Sequence, residues 1–257
     1  MQSSMLKTKT MKNTVGLIFC SGYGKRLLPY TKITPKPILL KHSNKSFLEI
    51  NIEKLLEIGI EKIYVSYSYG YNLFTKIIQK YNGKVQLIYE SHPVGQGKTI
   101  CNLLPEIKKY KYLYTANGDT IMKYDSSGIY DYIVENNIDL LISSSSNLEV
   151  EKNLLIDENR NLYGCKTHNK EYLYVKKTDN VIYANSLGDN VFSISSLTNI
   201  YNEALIQDFL GFYGENDLVE ILLKHKHKVK VLDVVVHSYH SINTVDEFKI
   251  FNKNYNA

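Results

Sequence analysis

Leu17-Ile-Phe-Cys-Ser-Gly-Tyr-Gly-Lys-Arg-Leu27, followed by Pro29-Tyr-Thr31 and Pro35-Lys-Pro37, is the stretch that decides how the chain is read. Val15 to Phe19 is apolar and partly β-branched, long enough for one buried strand and too short for a helix. It empties into Cys20-Ser-Gly-Tyr-Gly24, where small residues and two glycines let the backbone turn sharply and lie close to a ligand. Such a turn presents successive backbone N–H groups to an anion, and Lys25, Arg26 and Lys36 add full positive charges nearby. Two glycines after a strand would by themselves mean an ordinary turn. The cations around this turn offer phosphate chemistry as the other reading.

From residue 17 to 37 the chain resembles the N-terminal motif of the sugar-1-phosphate nucleotidyltransferases, L-A-G-G-x-G-T-R-L-x-P-L-T-x-x-x-P-K-P. Gly22, Gly24, Arg26, Leu27, Pro29, Thr31, Pro35, Lys36 and Pro37 stand at the family spacing without a gap, while Cys20-Ser21 and Lys25 depart from it. The resemblance implies that Phe19, Ser21, Gly22, Tyr23, Gly24 and Lys25 cradle a nucleoside triphosphate. It also implies that Arg26 and Lys36 are the catalytic cations.

At 257 residues and 44% apolar composition the chain can bury a full core, and one domain over residues 14–257 after a flexible tail at 1–13 is the expected organisation. A net charge of +5 admits nucleic acid or a membrane surface as partner. The basic residues are scattered apart from Lys224-His-Lys-His-Lys-Val-Lys230, so the reading is an enzyme of polyanionic small molecules, with no nucleic-acid partner and no membrane insertion. Three cysteines at no metal-like spacing imply reduced thiols and a cytoplasmic address. Residues 1 to 13 carry neither a signal-peptide core nor a span. A homo-oligomer is compatible with all of this.

Along the chain, Ser46-Phe-Leu-Glu49 is a capping box opening a helix that Gly59 stops. Ile63–Tyr69 is predicted as a strand, Tyr71–Tyr81 as a helix and Val85–Tyr89 as a strand. This alternation predicts an α/β fold with a mainly parallel, Rossmann-like sheet covered on both faces, a three-layer sandwich in one domain. The resemblance implies the GT-A-like nucleotidyltransferase form of it. Ligands in such sheets sit beyond the carboxyl ends of the strands.

Glu90-Ser-His-Pro-Val-Gly-Gln-Gly-Lys-Thr99 follows a strand, and its Gly97-Lys98-Thr99 invites a P-loop reading. His92 stands where a P-loop needs glycine and Pro93 stiffens the turn, which ranks a P-loop-like NTPase second. The family's corresponding segment is E-x-x-P-L-G-T-G-G-A, lying against the nucleotide base. By that resemblance Glu90, Gly95, Gln96 and Gly97 are nucleotide-binding.

Tyr112–Thr115 is a fourth strand ending in Ala116-Asn-Gly-Asp119. A carboxylate at the end of a central strand is placed to hold a divalent metal, and by the family's order Asp119 is the expected Mg²⁺ ligand, with Asn117 and Gly118 beside the nucleotide. The second half is read as a small antiparallel excursion, Asn153–Tyr163 with Glu171–Val175, before a return to the sheet at Val191. Against the family pattern Y-G, E-K-P and N-x-A-x-x-G, the resemblance implies Gly164, Lys177, Asn185 and Gly188 as sugar-phosphate-binding residues. Lys176 replaces the family's sugar-holding Glu, and a solvated pair of lysines is an equal reading. Val229–Val236 is predicted as one strand, with Thr244 and Glu247 capping a final helix. In cytidylyl-transferring relatives this place resembles I-D-T-x-x-D, so Asn243 is the expected second, weaker metal ligand.

The expectation from sequence is a nucleotidyltransferase that joins an NTP to a phosphorylated acceptor, by resemblance a sugar 1-phosphate on the way to surface polysaccharide. Its alternatives are a cytidylyltransferase for a phosphorylated alcohol such as phosphocholine, the P-loop-like NTPase, and a catalytically silent nucleotide-binding relative.

Overall fold

The computed structural model describes residues 11–166, 172–174, 180–207 and 215–255. The first half alternates regularly: β1 (Thr14–Phe19), α1 (Lys36–Leu39), β2 (Lys41–His42), β3 (Lys45–Ser46), α2 (Phe47–Glu57), β4 (Ile63–Tyr67), α3 (Tyr71–Ile78), β5 (Val85–Tyr89) and α4 (Gln96–Ile107). The middle holds β6 (Tyr112–Asn117), β7 (Thr120–Tyr124), α5 (Ile129–Glu135), β8 (Leu140–Ser144), β9 (Leu154–Ile156), β10 (Leu162–Lys166), β11 (Tyr172–Tyr174) and β12 (Ile182–Ala184). The chain closes with β13 (Asn190–Ser193), α6 (Ile194–Gln207), α7 (Glu215–Lys224), β14 (Val229–Asp233), β15 (Val236–Ser241) and α8 (Val245–Tyr255).

Seven strands form the main sheet in the order β14-β8-β13-β6-β1-β4-β5. β1 pairs in parallel with both β4 and β6, and β4 with β5, while β13 runs antiparallel between β6 and β8. The strand alternation decides the layers. Val15 and Leu17 join Leu113, Phe192 and Ile200 of α6 in one core, and Ile18 joins Leu55 of α2, Phe74 of α3 and Ile133 of α5 in the other. The two faces are each covered by helices, as the βα alternation required.

The Ser46 capping box is present: Ser46 Oγ accepts from the Glu49 N–H, and the Glu49 carboxylate accepts from the Ser46 N–H at 2.9 Å. The C-terminal box forms as well, with Glu247 N–H donating to Thr244 Oγ1 at 3.2 Å and Thr244 N–H to Glu247 Oε2 at 3.1 Å. The antiparallel excursion is a four-stranded sheet in the order β11-β10-β9-β12. The flanks of its expected Glu171–Val175 strand lie outside the described residues.

Two expectations are corrected. The Val229–Val236 run is two strands: β14 stays beside β8, whereas β15 leaves for a ribbon with β7. Val234 and Val236 are buried together against Met122 and Leu187, so a continuous apolar run conceals the change of sheet. The flexible tail expected over residues 1–13 does not include Met11, which is buried and whose N–H donates to the Ile58 carbonyl at 2.8 Å; residues 1–10 lie outside the described residues.

Among the described residues no helix is long and apolar enough to cross a membrane. A third, smaller core matters for the site. Leu27, Leu40, Phe47, Ile121, Ile242, Phe248 and Phe251 meet beneath the first loop and tie α8 to it.

Candidate active site

β1 and β6 are neighbours in the middle of the sheet, so the loops after their carboxyl ends meet. A cavity of about 630 Å³ opens there. From the first loop Phe19, Ser21, Gly22, Gly24, Lys25 and Arg26 line it, with Lys36 from the start of α1, Gly95 and Gln96 from the start of α4, Asn117 and Asp119 after β6, and Gly188 before β13. Twelve of the residues expected from sequence are thus brought to one place.

Gly22 lies on the cavity wall with no atom within 4 Å of where a Cβ would stand, leaving that space open to a ligand. Gly118 is needed by the fold: its N–H donates to the Phe19 carbonyl at 3.0 Å, and a Cβ there would lie 2.3 Å from Cys20 Sγ. The turn carrying Asp119 is thereby clasped to the end of β1. Asn51 of α2 clasps it from the other side, its Nδ2 donating to the carbonyls of Asn117 and Thr120 at 3.3 and 3.0 Å. Asn51 was not found by sequence reasoning. A buried amide on the apolar stripe between Leu48 and Leu55 was the available signal.

The charged centre is compact. Lys36 Nζ donates to Asp119 Oδ2 at 2.6 Å and lies 3.3 Å from Asn243 Oδ1, which also accepts from Arg26 Nη2 at 2.9 Å. Asn243 is therefore drawn into the site by these two cations. The Lys36 side chain is 7% exposed and that of Asp119 is 40% exposed, so the carboxylate keeps an open side toward the cavity. Among the described residues no group of three or more His, Cys, Asp or Glu side chains surrounds a common point. One carboxylate on an open wall suits a Mg²⁺ ion that brings phosphate oxygens and water as its other ligands, and does not suit an ion caged by protein alone.

Cys20 lines the same cavity, but burial, with Asp119 adding, pushes its thiol well above the ordinary range. It stays protonated at neutral pH and is no nucleophile. Gln96 Nε2 donates to Asn117 Oδ1 at 2.6 Å, joining the second loop to the third. Gly188 has φ of +82°, and a Cβ there would stand 2.1 Å from Asn117 Nδ2.

Other expected residues stand apart. Tyr23 is exposed beside Tyr69, and Gly97 is buried within α4. Glu90 is buried behind the loop, one oxygen accepting from Thr99 Oγ1 and the other, Oε2, without a hydrogen-bond partner among the described residues. Gly164 pairs with Leu155 and Tyr174 inside the antiparallel sheet and does not line the cavity. Asn185 is buried, its Oδ1 accepting from Ser144 Oγ and the Ser145 N–H and its Nδ2 donating to the Ser145 carbonyl. That amide shapes the chain after β8 and faces a second, smaller cavity. Lys177 lies outside the described residues. Asn153, Ser186 and Asn216 line the cavity as well, and no motif marked them because the antiparallel sheet and α7 bring them in.

The Gly97-Lys98-Thr99 segment does not form a P-loop. α4 begins at Gln96, the Thr99 N–H already donates to the Gly95 carbonyl at 3.0 Å, and the Thr99 hydroxyl is engaged with Glu90.

Comparison with known proteins agrees with this geometry. The family model described as "Nucleotidyl transferase" matches residues 15–170. A mannose-1-phosphate guanyltransferase of Yarrowia lipolytica is 28% identical over 143 residues, 53% of this chain and 39% of that protein. The bifunctional protein GlmU of Methanococcus vannielii is 28% identical over 226 residues, 87% of this chain and 50% of that protein. The chain thus spans half or less of the length of these two relatives. Among solved structures, the inositol-1-phosphate CTP transferase from T. maritima superposes with a TM-score of 0.69 at 16% identity, covering 93% of each chain. The CTP:phosphocholine cytidylyltransferase from Streptococcus pneumoniae gives 0.67 at 16% identity, covering 94% of this chain and 98% of that one. At such identities these structures speak for the fold, and the sequence match over more than half of the chain, on the loops that build the cavity, speaks for the family: the chain belongs to the nucleotidyl transferases.

Proposed function

We propose that the chain condenses a nucleoside triphosphate with a sugar 1-phosphate to give an NDP-sugar and pyrophosphate, a product of the kind consumed in surface polysaccharide synthesis. The observation that carries this reading is the polar cluster just beyond β6, where Lys36 pairs with Asp119 and Arg26 and Lys36 both reach Asn243 Oδ1. A phosphate monoester, its second pKa near 6, is largely a dianion at neutral pH. Its oxygen can attack the α-phosphorus without a general base. The new P–O bond forms as the bond from the α-phosphorus to the bridging oxygen breaks, and pyrophosphate leaves with that electron pair. Little covalent chemistry remains for the protein, whose tasks are alignment and charge neutralisation.

Arg26 is placed for the triphosphate and Lys36 for the transferred phosphoryl group. Asp119 would hold Mg²⁺, which when bound supplies Lewis-acid neutralisation of the triphosphate oxygens. Asn153, Ser186 and Asn216 offer amides and a hydroxyl to an acceptor, a set suited to sugar hydroxyls. GTP is the nucleotide we favour. The ground for that preference is that the Yarrowia relative is a mannose-1-phosphate guanyltransferase. Pyrophosphate release from each of the common NTPs, against mannose, glucose and N-acetylglucosamine 1-phosphates and phosphocholine, tests the reading. Turnover should need a sugar 1-phosphate and be fastest with GTP. Turnover with phosphocholine and CTP alone would replace the acceptor, and orthophosphate release without acceptor would replace the reaction.

A further inference from the structure

Resting on that reading, we infer that Asn243 is a positioning residue and no metal ligand: it holds Lys36 as the counter-ion of Asp119, so that a divalent cation reaches this carboxylate only together with a triphosphate. A single amide oxygen, Asn243 Oδ1, accepts from both Arg26 Nη2 at 2.9 Å and Lys36 Nζ at 3.3 Å. An oxygen facing two cationic donors has no lone pair turned toward a third cation. The amide is fixed in this sense from its other end, where Nδ2 donates to Ser241 Oγ at 3.1 Å and the backbone N–H donates to Glu247 Oε2 at 2.6 Å. The first turn of α8 therefore sets where the two cations stand.

Lys36 completes the arrangement. It is almost fully buried and contacts Asp119 Oδ2 at 2.6 Å, the place where a hard cation would bind. Arg26, Lys36 and Lys25 against Asp119 and Glu247, whose carboxylate accepts from the Asn243 N–H, leave this corner one positive charge in excess. Such a centre repels a bare dication and attracts a triphosphate, whose oxygens can take over the lysine and arginine and free the carboxylate. A carboxylate at residue 243 would have cancelled the excess; the neutral amide keeps it.

The test titrates Mn²⁺ into the full-length protein without nucleotide, following the electron paramagnetic resonance of the free ion. Wild type should leave Mn²⁺ free up to millimolar concentration, whereas Lys36→Met should bind it at least tenfold more tightly. Inorganic tripolyphosphate, a probe with no base requirement, should bind wild type in the absence of metal. In the tripolyphosphate complex, water proton relaxation by protein-bound Mn²⁺ should give Asn243→Ala an affinity within about twofold of wild type. The same variant should lose about a hundredfold in kcat with KM for the NTP changing far less, and Asn243→Gln, which keeps an acceptor oxygen, should recover part of the loss. Tight Mn²⁺ binding by nucleotide-free wild type, an unchanged titration in folded Lys36→Met, or a tenfold weaker ternary complex in Asn243→Ala would each overturn the inference. These titrations need no turnover, so a wild type that binds as expected but transfers no nucleotide would refute the proposed reaction and leave the inference standing.

Discussion

Replacing Arg26 by alanine separates catalytic charge from structural support. The side chain is exposed, and its guanidinium donates to Asn243 Oδ1. A surface substitution of this kind changes stability by no more than about 0.5 kcal/mol, or roughly 2 °C in a chain of this size. The effect on rate should be far larger. Losing one oriented donor to charge that develops in the transition state costs on the order of a hundredfold or more in kcat, about 2.7 kcal/mol at least. Arg26→Lys keeps the charge and loses the planar fork, so it should fall between alanine and wild type. Pyrophosphate release at saturating substrates measures the rate, and thermal melting measures the fold. An alanine variant that keeps its activity while its melting point collapses would show that Arg26 is structural and that the phosphate assignment is wrong.

Gly188→Ala forces a left-handed backbone on a residue with a Cβ and drives that atom into Asn117. The strain of about 1–2 kcal/mol should lower Tm by roughly 2–8 °C and raise KM for the NTP, and unchanged binding would remove Asn117 from the nucleotide wall. His240 packs against His42, Phe251 and Tyr255, and burial, with His42 adding, holds its imidazole below the ordinary value. The unfolded chain then binds the proton first, so this residue's contribution to stability is present above about pH 6.5 and is lost as pH falls through that value toward the folded pKa. His240→Phe should flatten the acid side of a melting-point profile, and an unchanged acid slope would show that burial of His240 does not weigh on the acid stability.

Much of the site was legible because its residues are local in sequence. Gly22, Arg26 and Lys36 belong to one loop, and their spacing states a backbone requirement and a charge requirement together. Asp119 could be read because β6 is predicted by its own apolar run and ends at a turn. Another part of the cavity wall was not legible. Asn153, Ser186 and Asn216 come from three distant segments and meet through tertiary packing, leaving no spacing to read. Asn185 matched a pattern letter but spends its amide on Ser144 and Ser145, which only the surrounding chain reveals. The merged Val229–Val236 strand failed for a similar reason, since burial in two different sheets writes the same apolar letters.

The fate of the individual phosphates tests nucleotidyl transfer most directly. Wild type is incubated with mannose 1-phosphate and GTP labelled with ³²P at either the α or the γ position, and the products are separated. In nucleotidyl transfer the α label enters a phosphatase-resistant nucleotide sugar and the γ label is recovered wholly in pyrophosphate, both only when acceptor is present. Recovery of the γ label as orthophosphate, with the α label left in GDP, would contradict it.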